Sequence, residues 1–467
     1  MKIVLRKLTL VLSLCLPIGE ISSLYSVSLE FSTLGYEIQW IEKNTKQPFK
    51  PPGWSLDLGN RAGEFQEESY LFRRSGQMVA LKFKDKNEYE KFNWELDAQL
   101  VLNRNDSTNS FYFGKNNYLM YKTPLSNIGV GKKEHLSKPK SFSTYSDGGE
   151  GIFVETNPSS ELSIQLFLWD RYQGYPLFDK ERFFSVLLRP EAPQYEKSHH
   201  RRHSFGIKYG NLHSVSFGLQ YTEFGTWGKH TREREVDVKE VGADGDSIIS
   251  SNISLFSDWE FLQLYFDILI VSGTDRTLGN YSKLGNSIPI RGEAFQLGLK
   301  GFYQNFTSEW SHFVTDRSER TNENQIVKEG YMLSGTHPGQ SYFISQILHI
   351  FPSVGLLNAG SEKNYVLYNG RFHSYFSELV LSYQYNDIFF KLVGAYLLPY
   401  RVSGVSDGRV SLKKENYESF FFGEVNFEFF VKGNSDFEIG LGVGQFFTPK
   451  AVGIEGNFGY FFGRVIF

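Results

Sequence analysis

The sequence contains almost no cysteine, no long apolar run and no strong excess of either charge. Its 467 residues include one cysteine, Cys15, which excludes a disulfide framework and a dithiol redox motif. A membrane helix needs roughly 20 consecutive apolar residues, and no such run occurs. The net charge of −3 offers no broad basic surface for nucleic acid. Helical membrane proteins, disulfide scaffolds and nucleic-acid-binding proteins are therefore excluded.

Aromatic residues and glycine dominate instead. The chain has 43 Phe, 27 Tyr and 7 Trp, together 16% of its residues, beside 44 Gly and only 15 Pro. So many rings can bury far more apolar surface than a disordered chain offers. The protein therefore folds, although only 40% of its residues are hydrophobic.

The first residues have the composition of a secretory signal peptide. Three basic residues precede a short apolar stretch, Leu8 to Ile18, and small serines follow, which is the order expected of a cleaved leader. The sequence predicts a signal peptide over residues 1–23 and one exported domain over residues 24–467. A retained buried helix and a lipoprotein site at Cys15 are the alternatives. With the leader removed, the net charge becomes −5 and no cysteine remains.

Segment after segment alternates between apolar and polar residues with a period of two. From Asn93 to Leu102 the even positions are apolar, and the odd ones include Glu95, Asp97 and Gln99. The same split occurs at Leu162 to Trp169, Ser214 to Thr222, Glu293 to Gln304, His373 to Asn386 and Tyr417 to Lys432. Such alternation is typical of strands with one polar and one apolar face. The sequence therefore predicts an all-β protein.

The connections between these segments alternate in length. Short links such as Thr123 to Asn127 and Ser257 to Trp259 are followed by long polar ones such as Arg171 to Arg202 and Trp227 to Asp246. Short turns at one end and long loops at the other are typical of antiparallel outer-membrane barrels, with the short turns periplasmic.

Strands laid between these links can be counted. They begin near residues 27, 69, 91, 111, 127, 150, 161, 203, 213, 248, 260, 292, 308, 371, 388, 417, 436 and 454. The count is about 18, within a range of about 16 to 18 because residues 316–370 are ambiguous. We predict a transmembrane antiparallel up-and-down β-barrel, with many of its aromatic residues on lipid-facing positions and at the two membrane interfaces.

The last residues, Gly459 to Phe467, form an amphipathic segment that ends in an aromatic residue. In this respect the sequence resembles bacterial outer-membrane β-barrel proteins, whose final strand commonly ends in Phe. The resemblance implies that Phe461, Val465 and Phe467 form the signal read by the barrel-assembly machinery. Gly463 departs from the hydrophobic residue that is usual at its position.

A second resemblance lies between Tyr118 and Lys133. Tyr-Leu-Met-Tyr-Lys, a Thr-Pro-Leu-Ser-Asn turn and Ile-Gly-Val-Gly-Lys-Lys resemble the strand-turn-strand of porins that runs into Val-Gly-Arg. Lys132 stands where those proteins usually have Arg, so the resemblance implies a basic position on the pore wall. The layout of the whole chain is similar to that of alginate-export-type porins, which implies an outer-membrane channel but no particular solute.

A barrel of this strand number has a lumen wide enough for water. The charged residues on polar faces are candidates for lining it: Lys82, Lys84, Glu95, Asp97, Lys132, Lys300, Glu378, Glu424, Glu428 and Glu438. Rings of such charges tune ion and solute preference. The alternative for each residue is that it only solvates a wet lumen or pairs across strands.

These features predict an outer-membrane channel for passive or substrate-selective diffusion of small hydrophilic solutes. The alternative is a surface receptor or adhesin that acts through long extracellular loops. The expected partners are outer-membrane lipid and the barrel-assembly machinery, and no cofactor is expected.

Enzymatic activity and a metal site are not expected. The neighbours His203 and Ser204 point to opposite sides of a strand and cannot act together on a substrate. The cluster of His199, His200 and His203 is more typical of a polar loop end than of a metal site.

Overall fold

The computed structural model describes residues 28–43, 64–66, 69–103, 109–113, 116–133, 149–170, 200–224, 246–275, 288–315, 319–320, 326–328, 340–341, 374–399, 406–407, 410–411, 422–433, 436–447 and 454–467. The predicted signal peptide at 1–23 lies outside these ranges, as do most of the long connections. No helix in the described part of the chain is both long and apolar enough to span a membrane.

Eighteen strands form one continuous antiparallel wall. They are β1 (Ser28–Lys43), β2 (Ser69–Tyr89), β3 (Phe92–Asn103), β4 (Asn109–Phe113 and Asn117–Lys122), β5 (Asn127–Lys133), β6 (Gly149–Thr156), β7 (Leu162–Asp170), β8 (His200–Tyr209), β9 (His213–Phe224), β10 (Asp246–Trp259), β11 (Leu262–Asp275), β12 (Ile288–Tyr303), β13 (Phe306–Thr315), β14 (Ser374–Tyr385), β15 (Ile388–Pro399), β16 (Phe422–Gly433), β17 (Phe437–Phe447) and β18 (Ile454–Ile466). The two pieces of β4 both pair with β3 and count as one wall strand.

Three short pairings lie outside this series of wall strands. Glu64–Gln66 pairs with the start of β2. Two small hairpins join Glu319–Arg320 to Ile326–Lys328 and Ser406–Asp407 to Val410–Ser411.

The last wall strand pairs with the first and closes the sheet. Along this seam Leu34 is opposite Phe462 and Tyr36 is opposite Tyr460. The backbones of Leu29 and Phe467 exchange hydrogen bonds of 3.2 and 2.8 Å. Closure removes the free edges that would otherwise leave backbone groups unpaired in lipid. The predicted up-and-down barrel of 18 strands is confirmed.

The two ends of the barrel differ in their connections. Each even-numbered strand from β2 to β16 is followed by a link of two to five residues. Glu90, Gln304 and Asn386 begin three of these turns with φ of 51, 50 and 52°, the sign that matches the twist of a two-residue hairpin. The connections at the other end reach 58 residues, between β13 and β14.

The observed strands begin within five residues of the predicted positions. The predicted turn at Ser257 to Trp259 is wrong, because β10 continues through Trp259 and the turn is Glu260–Phe261. Asp258 keeps the strand's alternation and accepts a hydrogen bond of 3.0 Å from Gln263 Nε2 on β11. Its turn-forming composition is overridden by this cross-strand contact.

Successive strand residues point alternately to the two faces of the wall. On β9 the exposed residues are Val215, Phe217, Leu219 and Tyr221, and the buried ones are Ser214, Ser216, Gly218 and Gln220. The cross-strand register continues this alternation from β9 round to β1. The exposed, apolar side is the outer face of the barrel, as a surface in contact with lipid requires.

Aromatic side chains surround the outer face at the short-turn end. The exposed residues there include Tyr89, Phe92, Tyr121, Tyr209, Trp259, Phe261, Tyr303, Phe306, Tyr383, Tyr385, Phe437 and Phe467. Aromatic girdles of this kind lie at the level of lipid headgroups in membrane barrels. Part of the aromatic excess therefore marks the edge of the apolar band.

Candidate functional site: the inner wall

Polar side chains cover much of the inner face. From β9 to β12 the buried polar residues are Ser214, Ser216, Gln220, Ser250, Asn252, Ser254, Asp267 and Gln296. Asn252 Nδ2 donates to Ser254 Oγ at 3.2 Å. Hydroxyl and amide groups both donate and accept hydrogen bonds. The wall is therefore apolar outside and polar inside, the reverse of a soluble protein.

Nine of the ten predicted wall residues fall on the inner face of their strands. They are Lys82, Lys84, Glu95, Asp97, Lys300, Glu378, Glu424, Glu428 and Glu438. Their contact with a passing solute stays a prediction.

Several inner charges pair with an adjacent strand. Ion pairs of 3.5, 3.7 and 2.8 Å join Lys82 to Asp97, Lys300 to Glu309 and Arg464 to Glu438. Opposite charges therefore lie side by side along the wall at these positions. This is the pairing across strands that the sequence allowed as an alternative to contact with solute.

Lys132 is the exception among the predicted wall residues. The preceding Gly131 has a φ of +123°, and a Cβ there would lie 2.2 Å from the carbonyl oxygen of Asn117, so only glycine fits. By strand register Lys132 falls in line with the exposed residues Ile128 and Val130, but unlike them it is buried, at 4% exposed. The inward-facing lysine is the next one along the strand.

That residue, Lys133, lies in an aromatic and acidic pocket of the inner wall. Its Nζ is 2.5 Å from Glu155 Oε2 and 4.9 and 5.2 Å from the ring centres of Tyr118 and Phe153. Gln165 Nε2 donates to the other oxygen of Glu155 at 2.7 Å. The carboxylate and the two ring faces together hold the ammonium group. The sequence alone does not reveal this site, because its residues come from four different strands.

Three buried carboxylates occupy the inner face of β14 and β16. Glu378, Glu424 and Glu428 are 3%, 1% and 4% exposed. Asn426 Nδ2 donates to Glu424 at 2.6 Å, and the Tyr460 hydroxyl donates to Glu428. Such donors offset part of the cost of burying a carboxylate.

The third carboxylate, Glu378, is held by a segment outside the wall strands. The backbone N–H groups of Gln340 and Ser341 donate to its two oxygens at 2.7 and 2.6 Å. Ser341 is fully buried. The sequence of this region is ambiguous, and no pattern in it connects residues that are 37 positions apart.

Rings from β18 lie across a row of inner-face glycines on β17. A Cβ at Gly440, Gly442 or Gly444 would come within 2.6, 2.3 and 2.2 Å of the rings of Phe462, Tyr460 and Phe458, respectively. An aromatic ring over a cross-strand glycine covers the exposed backbone and fixes the strand register. A second part of the aromatic excess therefore lines the inner wall.

The predicted assembly residues lie on the closing strand. Phe461 and Phe467 are 53% and 74% exposed, and Val465 is half-buried on the same face as Phe461. Their role in assembly stays a prediction.

The predicted histidine cluster is only partly described. His203 lies on the outer face of β8 and stacks on Tyr221, with ring planes 5° apart, while His199 lies outside the described ranges. Within those ranges, no group of three or more His, Cys, Asp or Glu residues is arranged to hold a metal ion.

No protein-family model matches the chain, and no curated protein matches its sequence. Solved structures do match. The BenF-like porin from Pseudomonas fluorescens Pf-5 superposes with a TM-score of 0.51 at 7% identity, covering 95% of this chain and 98% of that chain. The fold is that of an outer-membrane porin. OpdL of Pseudomonas aeruginosa gives 0.49 at 9% identity (95% and 98% covered), and the outer membrane protein OprD of that organism gives 0.47 at 12% (94% and 94%).

The fold and the apolar outer face are together those of an outer-membrane protein. The likeness spans nearly the whole of both chains, so it concerns the complete barrel rather than a local strand pattern. At such low identity it says nothing about which solute passes. The predicted resemblance to porin-like barrels is confirmed at the level of fold.

Proposed function

We propose that the protein is an outer-membrane channel for passive or substrate-selective diffusion of small hydrophilic solutes. The observation that carries this proposal is the closed wall of 18 strands with an apolar outer and a polar, charged inner face. A closed ladder satisfies its backbone groups without water from the lipid side. Walls of about 16 to 18 strands enclose an aqueous lumen. The porin fold supports transport rather than catalysis.

The inner wall suits small polar solutes better than large ones. Five phenylalanines are buried on the inner face and take up space inside the wall: Phe153, Phe167, Phe313, Phe376 and Phe446. Between β9 and β12 the same face carries hydroxyl and amide groups that replace water around a polar solute. The proposed channel is therefore narrowed by rings and lined by hydrogen-bonding groups.

The receptor or adhesin alternative depends on the long connections. Most of their residues lie outside the described ranges, including 171–199, and no contact among the described residues favours it. We further propose that Phe461, Val465 and Phe467 are read during assembly, since the first two lie on the strand that closes the barrel and Phe467 follows it directly.

Solute flux into proteoliposomes tests the channel proposal. Vesicles containing the purified barrel should swell in iso-osmotic solutions of small neutral sugars, at rates that fall steeply as the sugar becomes larger. The control is the same protein unfolded by heat before reconstitution, which should give the rate of protein-free vesicles. Swelling at the protein-free rate with a correctly folded barrel and the smallest sugar would overturn the proposal.

A further inference from the structure

The ammonium group of Lys133 fills a site made by side chains of the two neighbouring strands, β4 and β6. Its Nζ lies 2.5 Å from Glu155 Oε2 and 4.9 and 5.2 Å from the ring centres of Tyr118 and Phe153. The planes of the two rings are 87° apart, so the rings form a corner around the charge. A carboxylate and aromatic ring faces are groups that bind an organic ammonium ion.

Residues other than Lys133 hold the carboxylate and one of the rings in place. Gln165 Nε2 donates to Glu155 Oε1 at 2.7 Å. The Phe153 ring lies over Gly129, where a Cβ would come within 2.1 Å of it. Because neither contact involves Lys133, these groups should keep their positions when the lysine side chain is absent.

The charged end of the site is open to water. The side chains of Lys133 and Glu155 are 19% and 18% exposed, whereas Phe153 is fully buried. Lysine has a flexible stem, and an ion pair that water reaches is only weakly stabilising. When Lys133 moves aside, the carboxylate and the rings are therefore accessible from inside the barrel.

The corner shape favours a compact cation. A guanidinium group is planar and stacks on a ring face, and one plane cannot stack on two perpendicular rings at once. An ammonium group is a compact point charge, and that of Lys133 lies over both rings. The site therefore suits primary ammonium ions better than guanidinium ions.

We propose that Tyr118, Phe153 and Glu155 form a binding subsite for the primary ammonium group of a solute, and that Lys133 is its built-in occupant. The subsite follows from the geometry alone, whereas its use by a passing solute rests on the proposed channel function. A small hydrophilic amine displaces Lys133 and places its own ammonium group between the carboxylate and the rings.

Chemical rescue with propylammonium tests the subsite. Lys133→Ala removes the part of the side chain that matches this ion. The folding equilibrium constant of the variant, measured by urea unfolding in lipid vesicles, should rise about tenfold with about 100 mM propylammonium chloride at constant ionic strength, which corresponds to a dissociation constant of about 10 mM. The neutral propanol should have no such effect, and propylguanidinium a smaller one. No rise with propylammonium would overturn the subsite, and an equal rise with propylguanidinium would overturn its preference for ammonium.

Lys82→Ala provides the matched control. Lys82 pairs with Asp97 at 3.5 Å, and the two side chains are 22% and 15% exposed. Among the described residues, no aromatic ring lies over its ammonium group. Propylammonium should therefore stabilise Lys82→Ala little, and it should also stabilise Lys133→Ala with Glu155→Gln little. A tenfold rise in either variant would contradict a specific subsite.

A second variant keeps the test decisive if Lys133→Ala does not fold, which heat-modifiable migration on gels would show. Lys133→Met retains an apolar stem and removes only the charged head. Ammonium chloride should then stabilise the barrel more than sodium chloride at the same concentration. Equal stabilities in the two salts would overturn the subsite.

Single-channel recording separates the subsite from the channel. Propylammonium should briefly interrupt the current of the unmodified barrel, and Glu155→Gln should reduce the frequency of interruptions about tenfold or more, whereas Asp97→Asn should not. Rescue of Lys133→Ala without conductance in any variant would retain the subsite and overturn the channel. Rescue with interruptions that are equally frequent in Glu155→Gln would show that passing solutes do not use the subsite, and would overturn that half of the proposal.

Discussion

Gly442 and Tyr460 show how single residues determine the packing of the inner wall. The Tyr460 ring lies over Gly442, and its hydroxyl donates to the buried carboxylate of Glu428. One aromatic side chain therefore covers a glycine and satisfies a charge on a third strand. Both contacts require that position 442 carries no side chain.

Replacement of this glycine should destabilise the barrel. A Cβ in Gly442→Ala would lie 2.3 Å from a ring carbon of Tyr460, and overpacking of this kind costs about 1–3 kcal/mol. The free energy of unfolding in urea, measured with the protein in lipid vesicles, checks this value.

Gly394→Ala is the control for that measurement. A Cβ at Gly394 meets nothing within 4 Å, so the free energy of unfolding should change by no more than about 0.5 kcal/mol. Equal losses at positions 442 and 394 would contradict the packing of Tyr460 on the glycine row.

Sequence patterns predicted which residues face inward wherever the alternation is regular. Glu424 and Glu428 are two such residues, because they alternate with the apolar residues Val425, Phe427 and Phe429. Lys133 was not identified, because the resemblance to the Val-Gly-Arg of porins pointed to Lys132, whereas the register of β5 places Lys133 on the inner face. The contacts of Lys133 with Glu155 and Tyr118 depend on cross-strand register, which one sequence does not specify.

At the scale of the strand, β17 shows clearly how exposed outer residues alternate with inner ones. Its outer residues Ile439, Leu441 and Val443 are 49%, 46% and 50% exposed, while Gly440 and Gly442 on the inner side are buried. Large apolar side chains in such exposed positions are stable only against lipid.

Depth along β17 should determine the cost of a charge on the outer face. Val443 lies near the middle of the strand and Ile439 near its short-turn end. Val443→Lys should therefore cost about 2–4 kcal/mol in a bilayer, and Ile439→Lys about 0–1 kcal/mol. Urea unfolding in vesicles measures both, and equal costs would argue against the membrane placement of this strand.

The seam between β1 and β18 can be tested by a cross-link. Thr33 is directly opposite Gly463, and a Cβ at position 463 would lie 3.5 Å from Thr33 Cγ2, which is close enough for a disulfide. Thr33→Cys with Gly463→Cys should form a bond that resists heat unfolding on gels until a reductant is added.

A pair shifted by two residues provides the control for the seam. Thr33→Cys with Phe461→Cys places the thiols diagonally, at about 7–8 Å between strands, and should cross-link poorly. Efficient bonding of the diagonal pair instead of the opposite pair would show that the register of the seam is wrong.

Strands themselves were largely predictable, because alternation and turn composition are local signals. The start of β17 at Phe437 lies one residue from its predicted position. The end of β10 was missed, since Ser257 and Asp258 have turn-forming composition but continue a ladder with β11. Cross-strand pairing overrides local propensity at such boundaries.

For the whole molecule, the distribution of aromatic residues explains how a polar-looking chain crosses a membrane. Some rings lie on the outer face at the short-turn end, as Tyr303 does, and others lie inside over glycines, as Tyr460 does. The sequence predicted the first group but not the second. Composition gives the number of rings, whereas the cross-strand register determines which glycine each inner ring covers.

Long-range contacts across the barrel were also beyond the sequence. The bonds from Gln340 and Ser341 to Glu378 join parts of the chain that no periodicity connects. Pairing of β18 with β1 follows from the predicted up-and-down barrel, in which the last strand closes on the first. No comparable rule predicts a contact made inside the closed wall.

Single-channel recording of the purified, unmodified protein in a planar lipid bilayer tests the central claim most directly. A closed barrel of 18 strands with a polar inner face should produce stable, discrete conductance steps in simple salt solutions. Correctly folded protein that inserts into the bilayer and yields no steps above the membrane background would contradict the account of this barrel as a channel.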